Sequence, residues 1–481
     1  MARLSQRQLH ELARSALVGQ GVAPELAEEI VGEFVTAEIA GRPVHGVGKL
    51  TSLNLGRLDA VPRIETDGGV LSVDGMGGNG FLLLRSVADR LVELAKTQQV
   101  ALAAVRNFSR YGDSGLWGSD AFPNINGHLD KMCVIKSLYS DTFAHGSAIL
   151  QMNSGRTIQG SPSMGSWVCY GLGSENQNLP GYVVMLDPRG GPISGAANWS
   201  SGFMPAAFQG TQLRSRGEPV LDLAPKSGAT PEMQRDLLDS LAVLNGEHLK
   251  DRPGMSELQA RIASYQLAFQ MQTAAPEVMD LAGEDPKTLD LYGIPGPKPA
   301  HKQSVGSGPF GRQCLIARRL VERGVRFVQI YSGGGTQQEN WDAHADMAEN
   351  LEIHGPEIDK PIHGLLTDLE RRGLLDETLV VWGGEFGRQP VAEGNGIGRD
   401  HNPKGFLYWM AGGGVKGGLS YGETDELGHA AASKPRHIRD LHATILHLMG
   451  IEHDKLSYFY GGLNQKLTGV QEAHVIDEIL A

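Results

Sequence analysis

The chain has 481 residues, of which 41% are hydrophobic, and its formal net charge is −12. The apolar fraction is that of an ordinary globular protein, and the length allows one large α/β domain or two to three smaller ones. The excess of negative charge argues against nucleic acids and anionic membranes as partners, because both are negatively charged themselves.

The N-terminal stretch is charged and amphipathic and lacks an apolar segment of signal-peptide length. No window approaches the length of a membrane span. We therefore expect a cytoplasmic protein with no membrane partner; its oligomeric state is left open. The three cysteines lie far apart and outside any CxxC pair, so buried thiols are expected rather than disulfides or a thiolate metal site.

The first part of the chain is predicted to mix helices with short strands. Apolar periodicity predicts helices at 5–18 and 24–40, a strand at 69–73, a helix at 81–96 and a buried strand at 100–105. From residue 107 to about 228 the sequence is rich in Gly, Ser, Asn and Pro, with short apolar runs such as 182–186.

The later part alternates helices with apolar strands. A charged helical region at 231–281 precedes a Pro- and Gly-containing linker, and the predicted elements then follow in order: a helix at 311–323, a strand at 325–331, a helix near 358–371, strands at 378–382 and 406–410, and a helix at 436–449. This alternation predicts an α/β fold with a mostly parallel sheet between helical layers.

Three clusters of acids and imidazoles, each beside a glycine turn, adjoin strands predicted in the last third of the chain. They contain Asp342 and His344, Glu385, and Asp400 and His401. Side chains near strand ends converge at one edge of an α/β sheet. Carboxylates and imidazoles bind divalent cations, so the clusters predict a metal site; the ion is left open among calcium, magnesium, manganese and zinc. Solvated loop residues are the alternative interpretation.

The later part of the sequence, about 111–481, resembles the sulfatase-like family numbered 1501 among domains of unknown function (DUF1501). The likeness is carried by YGDSGLW at 111–117, GSPSMGSWVCYGLGSENQNLP at 160–180, NWDAH at 340–344, GGEFGR at 383–388, GRDHN at 398–402 and MAGGGVK at 410–416. The resemblance implies an alkaline phosphatase/sulfatase fold with divalent metals at one sheet edge. It implies Asp342, His344, Glu385 and His401 as ligands, with Asp141 and His145 as weaker candidates for the same pocket.

The sequence departs from that family at the nucleophile. The expected first strand, with its Ser-Gly-Gly-Pro-Ser segment and following Asp, has no counterpart here. One hypothesis is that the strand predicted at 100–105 takes its place and brings Ser109 to the nucleophile position. Arg388 and Arg399 are candidates to pair with an anionic substrate, since a guanidinium matches the geometry of an oxyanion; surface ion pairs are the alternative.

The N-terminal part, about 4–112, resembles the beginning of the malate/L-lactate/sulfolactate dehydrogenase family. The segments GRPVHGVGKL at 41–50, DGMGGNGF at 74–81 and VALAAVRN at 100–107 carry the likeness. It implies an active-site role for His45 and an NAD or NADP cofactor. Arg110 stands near the position of that family's second active-site histidine, and an arginine cannot replace histidine in proton transfer near neutral pH.

The sequence thus predicts a dehydrogenase-like fragment at 1–108 joined to a sulfatase-like domain at 109–481. The favoured function is metal-dependent hydrolysis of a small sulfate or phosphate ester, retained or lost with the nucleophile strand. An NAD(P)-dependent malate- or lactate-type oxidoreductase and a non-catalytic metal- or anion-binding protein are the alternatives.

Overall fold

The computed structural model describes residues 104–214, 230–250, 256–334, 340–392 and 397–481, the segments 63–67 and 70–74, and residues 14, 18 and 220. The chain divides into two compact units, Met1–Ala101 and Leu102–Ala481. In the part of the chain described here, no helix combines the length and apolarity needed to cross a membrane.

The described part of the first unit contains an antiparallel pair of strands, β1 (Arg63–Asp67) and β2 (Val70–Asp74). β2 confirms the strand predicted at 69–73. Arg14 and Val18 are helical, as predicted for 5–18. The helices predicted at 24–40 and 81–96 lie outside the described residues.

The second unit contains strands and helices throughout. Its strands are β3 (Phe108–Tyr111), β4 (Leu116–Ser119), β5 (Met132–Tyr139), β6 (Tyr182–Met185), β7 (Thr211–Gln212), β8 (Phe327–Ile330), β9 (Val380–Gly383), β10 (Gly387–Ala392), β11 (Arg399–Asn402), β12 (Phe406–Ala411), β13 (Leu419–Tyr421), β14 (Glu423–Thr424), β15 (Ala431–Ser433), β16 (Arg436–His437), β17 (Tyr458–Tyr460) and β18 (Leu463–Gln465). Its α-helices are α1 (His145–Ser154), α2 (Met164–Leu172), α3 (Pro231–Lys250), α4 (Ser256–Met279), α5 (Pro286–Leu291), α6 (Ser307–Val321), α7 (Met347–Arg371) and α8 (Ile438–Leu448).

A five-stranded mixed sheet is built around β5. β12 pairs antiparallel with both β5 and β9, whereas β13 and β16 pair parallel with β5. Since β5 and β9 are each antiparallel to β12, they run in the same direction. Their carboxyl ends therefore point toward the same edge of the sheet.

Both faces of this sheet are covered by helices. Alternate side chains of β5 point to opposite faces, so Cys133 and Ile135 pack with Leu441 of α8 while Met132 packs with Ile362 of α7. All five side chains are buried, and the leucine, isoleucine and methionine side chains each contribute roughly 1.5–3 kcal/mol of transfer free energy on burial. The sequence pattern of β5 thus explains the helical layer on each side.

A second, parallel sheet has the order β7-β6-β8. Val183 and Met185 of β6 pack against α4 and α6, and Tyr182 and Val184 pack on the opposite side with Trp199. The α/β class is therefore confirmed. The described strands are divided among several sheets, rather than joined in a single, mostly parallel sheet.

One predicted element was placed wrongly, and a second lies mostly outside the described residues. Helix α7 begins at Met347, eleven residues before the predicted start near 358, because Asp346 caps it and it continues through Pro356 and Pro361. The predicted strand at 100–105 lies outside the described residues except at its end, where Ala104 and Val105 are not in a strand.

Candidate metal centre

Four side chains from separate segments converge on one point. His145 is the first residue of α1, Asp342 and His344 lie between β8 and α7, and His401 lies in β11. One ligand atom from each of them lies within 4.8 Å of the others. The described residues therefore bring three imidazoles and one carboxylate together.

The Oδ1 atom of Asp342 is the centre of this group. It lies 3.1 Å from Nε2 of His145, 3.0 Å from Nε2 of His344 and 3.1 Å from Nε2 of His401. The Nε2 atoms of His344 and His401 are 2.8 Å apart. Arg388 donates from Nη2 to the same Oδ1 at 2.6 Å.

The outer nitrogens of two of the imidazoles are held by acceptors. Nδ1 of His145 lies 2.6 Å from Oε1 of Glu385, and Nδ1 of His401 lies 2.7 Å from the backbone oxygen of Phe143. Each Nδ1 therefore carries the proton, which leaves the lone pair of a neutral ring on Nε2 and directed inward. An outer acceptor that fixes the tautomer in this way is typical of metal-binding histidines.

The carboxylates of the centre stabilise positive charge on their neighbours. Burial disfavours the charged form of His145, but the carboxylates of Asp342 and Glu385 outweigh it and raise the pKa of His145 to about 9. Burial also opposes charge on Asp342, yet His145, His401 and Arg388 hold its pKa well below the usual range. A positive charge is thus favoured between the imidazoles and Asp342.

The residues present fit a divalent metal. Nε2 of His145 is buried and has no hydrogen-bond partner among the described residues, although it lies 3.1 Å from Asp342 Oδ1. A lone pair facing a carboxylate oxygen is repelled unless a proton or a metal ion lies between them. Three imidazoles and one carboxylate form a four-ligand set of nitrogen and oxygen donors, as zinc and similar ions prefer.

Aromatic contacts and the direction of the strands help to bring the side chains of this group together. Phe386 stacks on His401 at 4.2 Å between ring centroids and lies 5.0 Å from His145. His145 follows β5 and Glu385 follows β9, and these two strands run in the same direction on either side of β12. The centre therefore lies where the carboxyl ends of two strands of one sheet meet, as in other α/β proteins.

The structure places the predicted ligands in three different positions. Asp342, His344 and His401 lie in the four-residue group, and Glu385 contacts it through His145. Asp400 lies outside the group, with an exposed side chain that accepts the backbone N–H of its neighbour His401.

His145, a weaker candidate from the sequence, belongs to the group itself. The signal for it was its place after a strand, in the segment SDTFAH at 140–145. Asp141, the other weaker candidate, instead bonds His437 and Gln151.

The predicted catalytic residues are dispersed. Arg388 reaches Asp342 and also donates to the backbone oxygens of Trp341 and Arg399. Arg399 is partly buried, donates to the backbone oxygen of Gln389, and has its pKa lowered by burial.

Ser109 is exposed in the β3–β4 hairpin, outside the sheets described above. Arg110 lies in the same hairpin, over the ring of Trp117. His45 lies outside the described residues.

The family profile described as "Protein of unknown function (DUF1501)" matches residues 80–480. The chain belongs to the DUF1501 family. A second profile, described as "Malate/L-lactate dehydrogenase", matches residues 4–124. Both resemblances predicted from the sequence are thereby confirmed, and the two matches overlap at 80–124. No curated protein matches the chain.

Solved structures similar to this DUF1501 chain include Ps i-CgsB, with 11% identity and a TM-score of 0.33 over 69% of this chain and 66% of that structure. The chain thus covers slightly less than two thirds of that relative. Phosphonate monoester hydrolase SpPMH from Silicibacter pomeroyi matches with 12% identity and a TM-score of 0.31, covering 68% of each chain. Ps i-CgsB in complex with k-i-k-neocarrahexaose matches with 11% identity and a TM-score of 0.32 over 68% of this chain and 66% of that one.

Proposed function

We propose that this DUF1501 protein is a metal-dependent hydrolase of small sulfate or phosphate esters. The observation that carries the proposal is the meeting of His145, His344 and His401 on one oxygen of Asp342, with ligand atoms within 4.8 Å of one another. The outer acceptors on two of the histidines support it, because they direct Nε2 lone pairs inward.

The donor set narrows the choice of ion. Calcium, magnesium and manganese prefer oxygen ligands, whereas imidazole-rich sites suit zinc and the later first-row transition metals. We therefore favour a divalent ion of intermediate hardness, such as zinc, over calcium and magnesium. When bound, such an ion supplies a Lewis acid that stabilises negative charge developing on ester oxygens.

The chain's own residues orient the site. Glu385 fixes the ring of His145, and the backbone oxygen of Phe143 fixes that of His401. Arg388 holds the carboxylate of Asp342 in place at 2.6 Å. Arg399 donates to the backbone oxygen of Gln389, so both guanidinium groups have protein partners and neither is assigned as a dedicated substrate clamp. We assign the attack to water rather than to Ser109.

The first test is the metal content of the full-length protein by elemental mass spectrometry. We expect near-stoichiometric zinc or a related transition metal in the wild type and its loss in His401→Ala. His447→Ala is the matched control, because His447 is exposed on α8, and it should retain the metal. Absence of bound metal after reconstitution with calcium, magnesium, manganese and zinc in turn would contradict the proposal.

The second test is turnover of aryl sulfates and aryl phosphates by the metal-loaded protein. We expect hydrolysis of at least one class, its loss on chelation and in Asp342→Ala, and its return when the metal is restored to the wild type. Stoichiometric metal without hydrolysis of either class would overturn the hydrolase proposal and leave a non-catalytic metal-binding protein.

A second candidate function rests on the dehydrogenase-family match at residues 4–124. An NAD(P)-dependent oxidoreductase acting on malate or lactate would produce absorbance of the reduced cofactor on mixing. Such turnover, lost in His45→Ala and retained in His401→Ala, would favour this candidate over the hydrolase.

A further inference from the structure

The ligand Asp342 lies in a stretch of chain without helix or strand, so its position depends on the contacts of its neighbour Trp341. The indole Nε1 of Trp341 donates to Oγ of Ser332 at 3.2 Å, and its ring centroid lies 5.1 Å from that of His354 on α7. The backbone oxygen of Trp341 accepts from Nη2 of Arg388 at 3.1 Å, and the same nitrogen donates to Oδ1 of Asp342. Trp341 therefore helps to fix both the shared ligand oxygen and the guanidinium that holds it.

The ring of Trp341 packs against a network of charged side chains in the interior. His354 and Glu357 are buried, and Nδ1 of His354 lies 3.0 Å from Oε2 of Glu357. Arg189 donates from Nη2 to the same Oε2 at 2.8 Å and from Nε to Oδ1 of Asp187 at 2.9 Å. Its Nη1 lies 3.3 Å from Nδ1 of His354. Burial opposes the charge of Glu357, but His354 and Arg189 outweigh it and lower the pKa of Glu357.

The same network reaches the chain on either side of the ligand segment. Oδ2 of Asp187 accepts the backbone N–H of Gly333 at 2.8 Å, just after β8. Oε1 of Glu357 accepts the backbone N–H of Val305 and the hydroxyl of Ser304, each at 2.8 Å. The network therefore joins the chain after β8 to the loop after β6, to the segment before α6 and to α7.

A network of this kind is better suited to fixing one arrangement than to raising stability. Removing charges from water costs free energy that their attraction offsets only when hydrogen bonds satisfy them, and apolar side chains of similar volume are often as stabilising. A fully hydrogen-bonded network, however, allows few alternative arrangements of the side chains that it joins. A metal centre needs this precision, because its ligands must be held to within about 0.5 Å.

We propose that Arg189, Glu357 and His354 position Trp341, and through it Asp342, for metal binding. This role rests on the metal centre of the proposed hydrolase, and none of the three residues belongs to its four-residue group. They act on the ligand through a second residue, so they are positioning residues rather than ligands. By holding Oδ1 of Asp342 in place before the ion arrives, they reduce the conformational entropy that is lost when the metal binds.

The test is competition for zinc between the full-length protein and a chromophoric chelator. Glu357→Gln keeps the shape of the side chain but removes its charge, and Trp341→Leu removes the ring that packs on His354. We expect each variant to bind zinc about ten-fold more weakly, at the lower end of the loss that follows removal of an outer partner. Trp341→Phe keeps an aromatic ring on His354 and should restore most of the affinity that is lost in Trp341→Leu.

Glu284→Gln is the matched control, because Glu284 also belongs to a largely buried network of ion pairs. Its carboxylate lies 3.1 Å from Arg318 and 2.6 Å from Arg319, and its side chain is 12% exposed. Both arginines lie on α6, and none of these three residues belongs to the network around Trp341. We expect Glu284→Gln to lower the melting temperature, as Glu357→Gln does, while its zinc affinity stays that of the wild type.

Loading with cobalt(II) gives a readout that a loss of stability alone does not change, because the visible absorption of this ion depends on the arrangement of its ligands. We expect the spectrum of the cobalt-loaded protein to change in Glu357→Gln and in Trp341→Leu. The spectrum of Glu284→Gln should be that of the wild type.

The outcomes separate the positioning role from the metal centre itself. Zinc binding by the wild type, with unchanged affinity and an unchanged cobalt spectrum in both variants, would overturn the positioning role and leave the metal centre standing. No zinc binding by the wild type would overturn both. Equal weakening in Glu284→Gln would assign the effect to lost stability and would also overturn the positioning role. If Glu357→Gln does not fold, wild-type zinc affinity in Trp341→Leu is sufficient to overturn it.

Discussion

Replacing Glu385 by glutamine tests whether the outer carboxylate tunes metal affinity. Glutamine keeps the shape of the side chain but removes the negative charge that accepts Nδ1–H of His145 at 2.6 Å. Loss of such an outer partner typically costs 10- to 100-fold in metal affinity, equivalent to roughly 1.4–2.7 kcal/mol. The Glu385 side chain is 23% exposed, so solvent screening places the expected loss near the lower end, at about ten-fold.

The assay is competition for zinc between the protein and a chromophoric chelator of known affinity. Glu472→Gln is the control, because Glu472 contacts His474 at 3.6 Å with its side chain 84% exposed, and it should leave the affinity unchanged. Unaltered zinc affinity in Glu385→Gln would refute the assigned orienting role, since the carboxylate would then contribute nothing to the basicity of His145.

Three further outcomes follow from described contacts. Asp342→Asn should abolish metal binding while Asp400→Asn preserves it, in the same competition assay, because Asp342 holds the shared oxygen and Asp400 lies outside the group. Burial, reinforced by the charge of a neighbouring histidine, lowers the pKa of His128 to about 4. Stability should therefore fall as pH drops from about 6.5 toward 4, by up to about 3 kcal/mol, and urea titrations across that window should lose this slope in His128→Phe. Leu441→Ala should destabilise the fold by roughly 2–5 kcal/mol in thermal denaturation, whereas Leu407→Ala, 45% exposed on β12, should change stability by about 0.5 kcal/mol or less.

The sequence could identify which loops meet, but it could not identify which side chains reach the centre. Asp342, His344 and His401 were predicted from their positions near strand ends, and the structure brings them together. Glu385 was predicted as a ligand and lies outside the group, whereas His145 was a weaker candidate and belongs to it. The two positions differ by only a few ångströms. Spacing along the chain carries no information on that distance.

Helices and strands with clear local patterns were predicted correctly, whereas those that depend on contacts with distant residues were not. Strand β12 and helix α8 carry clear apolar periodicity and were predicted nearly to their ends. Strand β11 has the polar sequence RDHN and is not among the predicted strands; its extended form comes from pairing with β10. The start of α7 was missed because its first three turns contain polar residues and Pro356, and their helical form depends on packing against α6.

The charges around the centre give a physical reason to expect an anionic partner. Asp342 and Glu385 contribute two negative charges and Arg388 one positive charge. With His145 protonated, as its raised pKa favours in the metal-free protein, these groups sum to zero. A divalent ion that displaces this proton replaces one positive charge by two and leaves an excess of one. Metal loading therefore makes a neutral centre cationic, which favours a sulfate or phosphate ester over a neutral ligand. Inhibition by inorganic sulfate or phosphate should accordingly weaken as ionic strength rises.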